Sequence, residues 1–372
     1  MLEEHLGYLS DLVRIDRFTK ALRAAVKAGD RVADLGCGTG ILGILALHAG
    51  AGHVYQVDET AMLEVARDTV VRAGLQGRVS CIPGRSQRVE LPERVDLAIC
   101  DHVGYFGFDY DIVGLFRDAR RRLLKPGGTV MPARLELQIA AIESDRYRKM
   151  ADGWRAEDVP EVFHWVRDYS VNMKHTAEFK LDEVIAPPVA LGAIDLRDDD
   201  REFFSWTAGL RMARGGTVHG LGGWFDCELC EGVHMTNSPL AGTPIKRPQV
   251  FLPIDEPVTV KAGDPANVTV MARPDDRLIA WTVEFPAAGR RFNQSTWQGM
   301  LLASGDQMRA DPARVPTLSR EGVARGIVLG FCDGKRNARD IEQAVLREHP
   351  GLFPSVGEIS RFVAHVLARD AG

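Results

Sequence analysis

Apolar residues recur at helical spacing through Leu9, Leu12, Val13, Phe18, Leu22 and Val26, which predicts an amphipathic helix ahead of the first strand. From residue 31 to about 133 the rhythm changes. Apolar runs at Arg31–Leu35, His53–Asp58 and Val95–Asp101 alternate with helical stretches, the order of a parallel doubly wound sheet. From about 134 to 303 short segments alternate residue by residue, as in Leu135–Ile139 and Val268–Val270, between Gly and Pro breaks. That texture predicts an antiparallel barrel or sandwich. Residues 304–317, with Gly305, Asp311, Pro312 and Pro316, lose periodicity and read as a linker. In residues 318–372 Asp333-Gly334 marks a turn. Ser355 and Glu358 form a capping box before Ile359, Phe362, Val363, Val366 and Leu367, so this tail is expected to be a small helical module.

Composition narrows the picture. A chain of 372 residues exceeds what one core usually organises, and its 45% hydrophobic residues can fill a large interior. A charged fraction of 26% and a formal net charge of -5 give no general attraction to nucleic acid or anionic membrane. The start Met1–His5 lacks a basic segment followed by an apolar one, and no window holds eighteen uncharged apolar residues, so a cytoplasmic, membrane-free protein is expected. Six scattered cysteines read as reduced thiols. Cys227 and Cys230 have CxxC spacing but sit on a strand, where residues three apart face opposite sides, which favours packed thiols over a metal site. Arg117, Arg120, Arg121, Arg122 and Lys125 lie on a helix whose Leu115, Phe116, Leu123 and Leu124 turn inward. They read as a solvated face, not a nucleic-acid surface.

Candidate chemistry begins at Asp34-Leu35-Gly36-Cys37-Gly38-Thr39-Gly40, between the first strand and a helix containing Ile41 and Leu42. Glycines allow a sharp turn and close approach of a ligand. The run is GxGxG rather than GxGxxG, and the strand ends in an acidic residue, which suits a nucleoside without a pyrophosphate. Asp58, followed by Glu59, ends the next strand, where a carboxylate can accept hydrogen bonds from both ribose hydroxyls. Together these point to S-adenosylmethionine rather than a nicotinamide dinucleotide.

The runs Val32–Gly43 and Val54–Asp58 resemble the protein arginine methyltransferase family, a Rossmann-like class, and the resemblance extends over about residues 5 to 300. It implies that His5, Leu9, Asp11 and Arg14 belong to that family's helix before the glycine loop, with Arg14 on the cofactor's carboxylate. It implies that Gly84-Arg85-Ser86-Gln87 is the adenine-binding turn, with Gln87 where a glutamate usually stands. Leu124–Gly128 matches the turn before the next strand. The family's aromatic lid motif lies upstream of where this sequence begins. The implied cofactor set is thus His5, Arg14, Asp34, Gly36, Cys37, Gly38, Gly40, Ile41, Leu42, Asp58, Glu59, Arg85, Ser86, Gln87 and Asp101.

The acceptor loop departs from that pattern. In the family two glutamates grip a guanidinium, a planar fork that paired carboxylates hold well. In Cys100–Asp111, Asp101 stands at the first and Tyr110 at the second, with Asp109 and Asp111 flanking so that a one-residue shift still presents a second carboxylate. The family's Thr-His-Trp loop should fall near Pro244–Gln249, where neither His nor Trp occurs. His102 is open to two readings, a base or acceptor-orienting group and an ordinary loop residue. Asp101, His102, Tyr110 and Asp109 are the catalytic candidates, and Asp101 favours a cationic nitrogen acceptor.

Ile327–Ile341 resembles the helical part of PqqD-like peptide-recognition domains, which implies a peptide acceptor carrying a leader segment. A helical cap on the preceding domain is the other reading. Trp154–Leu181 occupies the place of the family's dimerisation arm, with Val162, Phe163, Trp165, Val166 and Tyr169 as its apolar surface, and implies a homodimer. The acceptor is then a peptide or protein side chain, a small molecule of specialised metabolism, or, if the cofactor is only bound, none.

Overall fold

The computed structural model describes residues 2–301 and 315–371. It divides into two compact units, Met1–Met300 and Leu301–Gly372. All but the last three residues of the expected linker, 304–317, lie outside the described residues.

The expected first helix is two: α1 (Leu2–Ser10) and α2 (Leu12–Ala25). The break comes from Asp11, whose carboxylate accepts the Arg14 N–H at 3.1 Å and caps α2. Phe18, Ala21 and Leu22 of α2 are buried, but Leu9 and Leu12, expected on that same face, are exposed: Leu9 lies on α1, none of whose residues is buried, and Leu12 is the first residue of α2 after the break.

Strands β1 (Arg31–Leu35), β2 (His53–Asp58), β3 (Val79–Pro83), β4 (Val95–Ile99) and β5 (Leu124–Met131) form one sheet in the order β3-β2-β1-β4-β5. Every pairing is parallel, and β1, β2 and β4 are mostly buried, as continuous apolar strands covered on both faces should be. Helices α3 (Ile41–Ala49), α4 (Met62–Arg72) and α5 (Ile112–Arg122) complete the crossovers. Strand order reverses between β1 and β4, so the loops that follow these two strands open on a crevice where such sheets bind ligands. Residues 124–128 are not a turn before a strand: Leu124 pairs with Val95 and Thr129 with Leu97, so the Pro-Gly-Gly run is carried as a bulge inside β5.

The rest of this unit is two antiparallel sheets. Five strands run in the order β7 (His175–Ala177), β12 (Gln249–Val260), β10 (Gly216–Cys230), β6 (Arg134–Ile142) and β8 (Val189–Asp195), with β11 (Val233–Thr236) also on β10. The second sheet runs β15 (Arg290–Ser295), β14 (Leu278–Phe285), β13 (Pro265–Arg273), β9 (Phe204–Arg211). The Trp281 indole N–H donates to Pro253 O at 2.7 Å and ties the sheets together. One hydrophobic core runs from Phe18 and Val57 through Phe116 and Leu135 to Trp281. Between β6 and β8 the chain makes short helical turns that leave Trp154, Val162, Phe163 and Trp165 exposed. On α5 the expectation of a solvated charged face fails for Arg117 and Arg120, whose side chains are only 11 and 15% exposed and pair with Asp275 and Asp200, while Arg122 pairs with Asp118 on the helix itself.

The described residues of the second unit form the helices Arg320–Gly330, Ala338–Glu348 and Val356–Asp370, closed on Val328, Ile341, Val345, Ile359, Val363 and Val366. Gly334 takes a left-handed turn and the Ser355–Glu358 capping box is formed, both as the sequence pattern predicts. No strand occurs among the described residues of this unit, and no helix among the described residues of the chain is long and apolar enough to cross a membrane.

Candidate functional site

A cavity of about 550 Å³ opens at the reversal point of the parallel sheet, a size that suits a nucleoside-bearing ligand. One wall is the loop after β1. Gly36 N–H and Cys37 N–H donate to Val57 O at 2.8 and 3.0 Å, which folds the loop back onto β2. Gly36 and Gly38 both have positive φ, 71° and 52°. A Cβ at Gly36 would collide with the His102 imidazole, and one at Gly38 would come within 2.6 Å of His5 Cε1, so this backbone is a cradle that only glycine leaves open.

Asp58 locks the cradle. Its Oδ2 accepts Gly38 N–H at 2.8 Å, and its Oδ1 accepts the Thr60 N–H and hydroxyl at 2.8 and 2.6 Å. Asp34 and Gly40 lie behind the wall rather than on it. Asp34 Oδ2 accepts Gly43 N–H at 2.8 Å, and Gly40 O accepts the Gln56 amide at 2.8 Å. Burial pushes the Asp34 carboxyl up to about 7, although the Gly43 bond opposes it. Ile41 and Leu42 of α3, with Glu59, Arg85, Ser86 and Gln87, line the same wall, and Arg85 pairs with Glu59 at 2.7 Å on its exposed rim. Of the expected cofactor set, all but Asp34 and Gly40 line the cavity.

The opposite wall is built by distant segments. Asp101, just past β4, is gripped by two arginines: Arg14 Nε donates to Oδ2 at 2.5 Å, and Arg247 donates through Nη2 to Oδ2 at 2.9 Å and through Nη1 to Oδ1 at 3.3 Å. The three side chains are only 6, 10 and 8% exposed for Arg14, Asp101 and Arg247. Burial works against the Asp101 charge, but the two guanidinium groups outweigh it and hold the carboxyl below its ordinary range. The Tyr8 ring lies 5.7 Å from the Cζ of each arginine. His102 is largely buried, and burial drives its pKa down, so its ring lines the cavity as neutral imidazole.

The candidates that follow Asp101 diverge. Tyr110 lines the cavity, with its ring 5.6 Å from that of Tyr105. Asp109 does not: Oδ1 accepts Tyr105 and Phe106 N–H at 2.9 and 3.0 Å, and Oδ2 pairs with Lys174 at 2.6 Å. This carboxylate closes its own loop and leaves none for the acceptor, because the register shift that would expose it would break all three bonds. The carboxylate that does border the cavity is Asp111, at φ 65°, with a buried Oδ1 that has no hydrogen-bond partner. Burial and the nearby Asp275 push it up to about 6.

Tyr8, Thr60, Arg247 and Arg277 also line the cavity and were not singled out as site residues from sequence. A signal for Arg247 existed: it stands in Pro244–Gln249, where the resemblance placed an acceptor-facing loop.

Comparison with known proteins agrees with this architecture. Residues 32–128 match the family model described as "Methyltransferase domain". The chain is 28% identical over 292 residues to the "Probable protein arginine N-methyltransferase 6" of Arabidopsis thaliana, covering 75% of this chain and 65% of that protein. It is 27% identical over 298 residues to the "Probable histone-arginine methyltransferase CARMER" of Drosophila melanogaster, covering 74% of this chain and 55% of that one. It thus spans between about half and two thirds of the length of these relatives. Two solved structures share the fold. One is the Trypanosoma brucei PRMT1 enzyme-prozyme heterotetrameric complex with AdoHcy, with TM-score 0.72, 22% identity, and 79% of this chain and 98% of that chain covered. The other is Arabidopsis thaliana protein arginine methyltransferase 10, with TM-score 0.68, 23% identity, and 80% and 98% covered.

Proposed function

We propose that this protein is an S-adenosylmethionine-dependent methyltransferase whose acceptor is a nitrogen of a peptide or protein side chain, arginine foremost. The observation that carries the reading is the glycine cradle locked by Asp58 and facing Arg14 across one cavity. The match to a methyltransferase domain, the names of the curated relatives and the AdoHcy in the Trypanosoma structure support it. Asp58 would take the ribose, Arg14 the methionyl carboxylate, and Gln87 with Ser86 the adenine. Bound there, the cofactor supplies a sulfonium-activated methyl group. The residues on the other wall then position the acceptor, and alignment alone accounts for about 7–11 kcal/mol of barrier in well-oriented reactions.

The division proposed is a cofactor part over 1–133, an antiparallel part over 134–303, a linker over 304–317 and a helical tail over 318–372. The exposed Trp154, Val162, Phe163 and Trp165 support a homodimer. Free cysteines suit a cytoplasmic protein. Leader recognition by the tail draws support from the resemblance of residues 327–341 to the helical part of PqqD-like domains: deleting residues 318–372 should leave S-adenosylhomocysteine affinity unchanged and raise the KM for a peptide acceptor, and an unchanged KM would make the tail structural. A small-molecule acceptor is the second reading, favoured by Tyr110 at the second carboxylate position and by the withdrawal of Asp109.

The deciding experiment is transfer of labelled methyl from S-adenosylmethionine into an extract of the source cells, followed by fractionation. Label in peptide or protein supports the first reading. Label confined to small molecules supports the second, and no S-adenosylhomocysteine binding by calorimetry removes both.

A further inference from the structure

Asp101, the residue at the first acceptor-carboxylate position that the resemblance implies, lines the cavity and is already engaged. A carboxylate offers about four lone-pair sites. Arg14 Nε and Arg247 Nη2 share Oδ2, and Arg247 Nη1 takes Oδ1, so three are filled and the paired face that a guanidinium fork needs is held by the chain's own Arg247. Arg247 Nε has no hydrogen-bond acceptor among the described residues, so Asp101 is the polar anchor of this guanidinium. Glu4, which also lines the cavity and accepts the Tyr8 hydroxyl at 3.0 Å, places a second carboxylate beside the same ring that Arg247 faces.

We infer that Arg247 is a specificity-determining residue: it occupies the acceptor's place on Asp101 and is displaced only by an arginine held by further contacts, so that free arginine and small guanidines are excluded. The inference rests on the methyltransferase reading and narrows it to tethered acceptors. Exchange of one guanidinium for another on Asp101 swaps like hydrogen bonds for like and adds no affinity of its own. A resident side chain competes at an effective concentration in about the millimolar range. An acceptor that offers only its guanidinium meets that competitor unaided, whereas a peptide adds contacts elsewhere and wins the exchange. Discrimination therefore comes from an element built against the wrong ligand as well as for the right one.

The test uses the full chain saturated with S-adenosylhomocysteine and N-acetyl-arginine methylamide as the probe, with affinity measured by calorimetry or saturation-transfer NMR. Arg247→Ala should tighten the probe at least about tenfold relative to the parent chain. Arg247→Lys, which keeps the charge but not the fork, should gain less, and it stands in if the alanine variant does not fold. S-adenosylhomocysteine affinity should stay within about threefold in both, because the glycine cradle is untouched. Probe affinity equal to or weaker than the parent's in the folded variants overturns the role of Arg247. Failure of the parent chain to bind S-adenosylhomocysteine instead overturns the methyltransferase reading beneath it.

Discussion

On the glycine-loop side of the cavity the braces are short in sequence: 20 residues from Gly38 to Asp58, 16 from Gly40 to Gln56 and 9 from Gly43 to Asp34. On the Asp101 side the decisive contacts span 87 residues to Arg14 and 146 to Arg247. The first wall is made by backbone N–H groups on neutral turns, the second by three charges with little access to water. Local backbone braces tolerate change elsewhere in the chain. A charge triad assembled from three distant segments instead depends on all of them, and removing one member strands the others.

The comparison breaks most sharply at Asp101. Asp101→Asn keeps the size but leaves two buried guanidinium groups facing each other, so the folded state should lose about 3–5 kcal/mol in denaturant unfolding. The same variant should still bind S-adenosylhomocysteine wherever it is folded. Because Asp101 titrates below its ordinary range, its contribution is complete above about pH 4 and is lost only as pH falls through the lower folded value. The penalty of the variant should therefore be flat across neutral pH. A penalty under about 1 kcal/mol would show that the triad is not a structural unit.

Asp58→Ala tests the other wall. It removes the oxygen that accepts Gly38 N–H and the one that accepts both Thr60 donors, along with the group proposed for the ribose. S-adenosylhomocysteine affinity should fall by about a hundredfold, equivalent to two charge-assisted hydrogen bonds. Stability should fall less than for Asp101→Asn, since Asp58 accepts only neutral N–H and hydroxyl donors and its loss strands no buried charge. Unchanged affinity would remove Asp58 from the site.

The same contrast explains what could be read from the sequence. The Gly36–Gly40 loop and Asp58 are each a strand end plus a short motif, so spacing places them, while the 84–87 turn follows from the family resemblance; all three contribute to one wall, with Gly40 itself behind it. Asp101 was legible as a residue but not in its pairing, because nothing local links it to Arg247. Asp109 looked available since counting along a loop ignores hydrogen bonding. Its carboxylate turns inward to Tyr105 and Phe106 N–H and to Lys174, from a different part of the chain. The break at Asp11 is another such case: helical periodicity runs through Leu9 to Val26, while a side-chain cap decides that the helix restarts. In the tail, where capping box, turn and apolar spacing are all local, pattern and structure agree.

Asp111 lies where the two walls meet and should give the smallest effect. It borders the cavity, its Oδ2 receives the Gln87 amide at only 3.5 Å, and its other oxygen has no hydrogen-bond partner. Burial, then Asp275, raises its folded pKa to about 6. A carboxyl that titrates higher when folded binds its proton more tightly in the native state. Its stabilising proton is present below the unfolded value of about 4, and stability falls as pH rises through about 6. Asp111→Asn keeps an acceptor without the charge. It should match the parent near pH 4 and become more stable by about 1 kcal/mol at pH 7, a figure reduced for the solvent that reaches this half-buried group. Unfolding the pair at pH 4, 5.5 and 7 gives the answer. A widening difference places Asp111 with the strained, charge-built wall. A difference that is flat with pH means its charge is already satisfied by Arg277 or Arg117, the cations that oppose the rise, and the seam belongs to the braced wall instead.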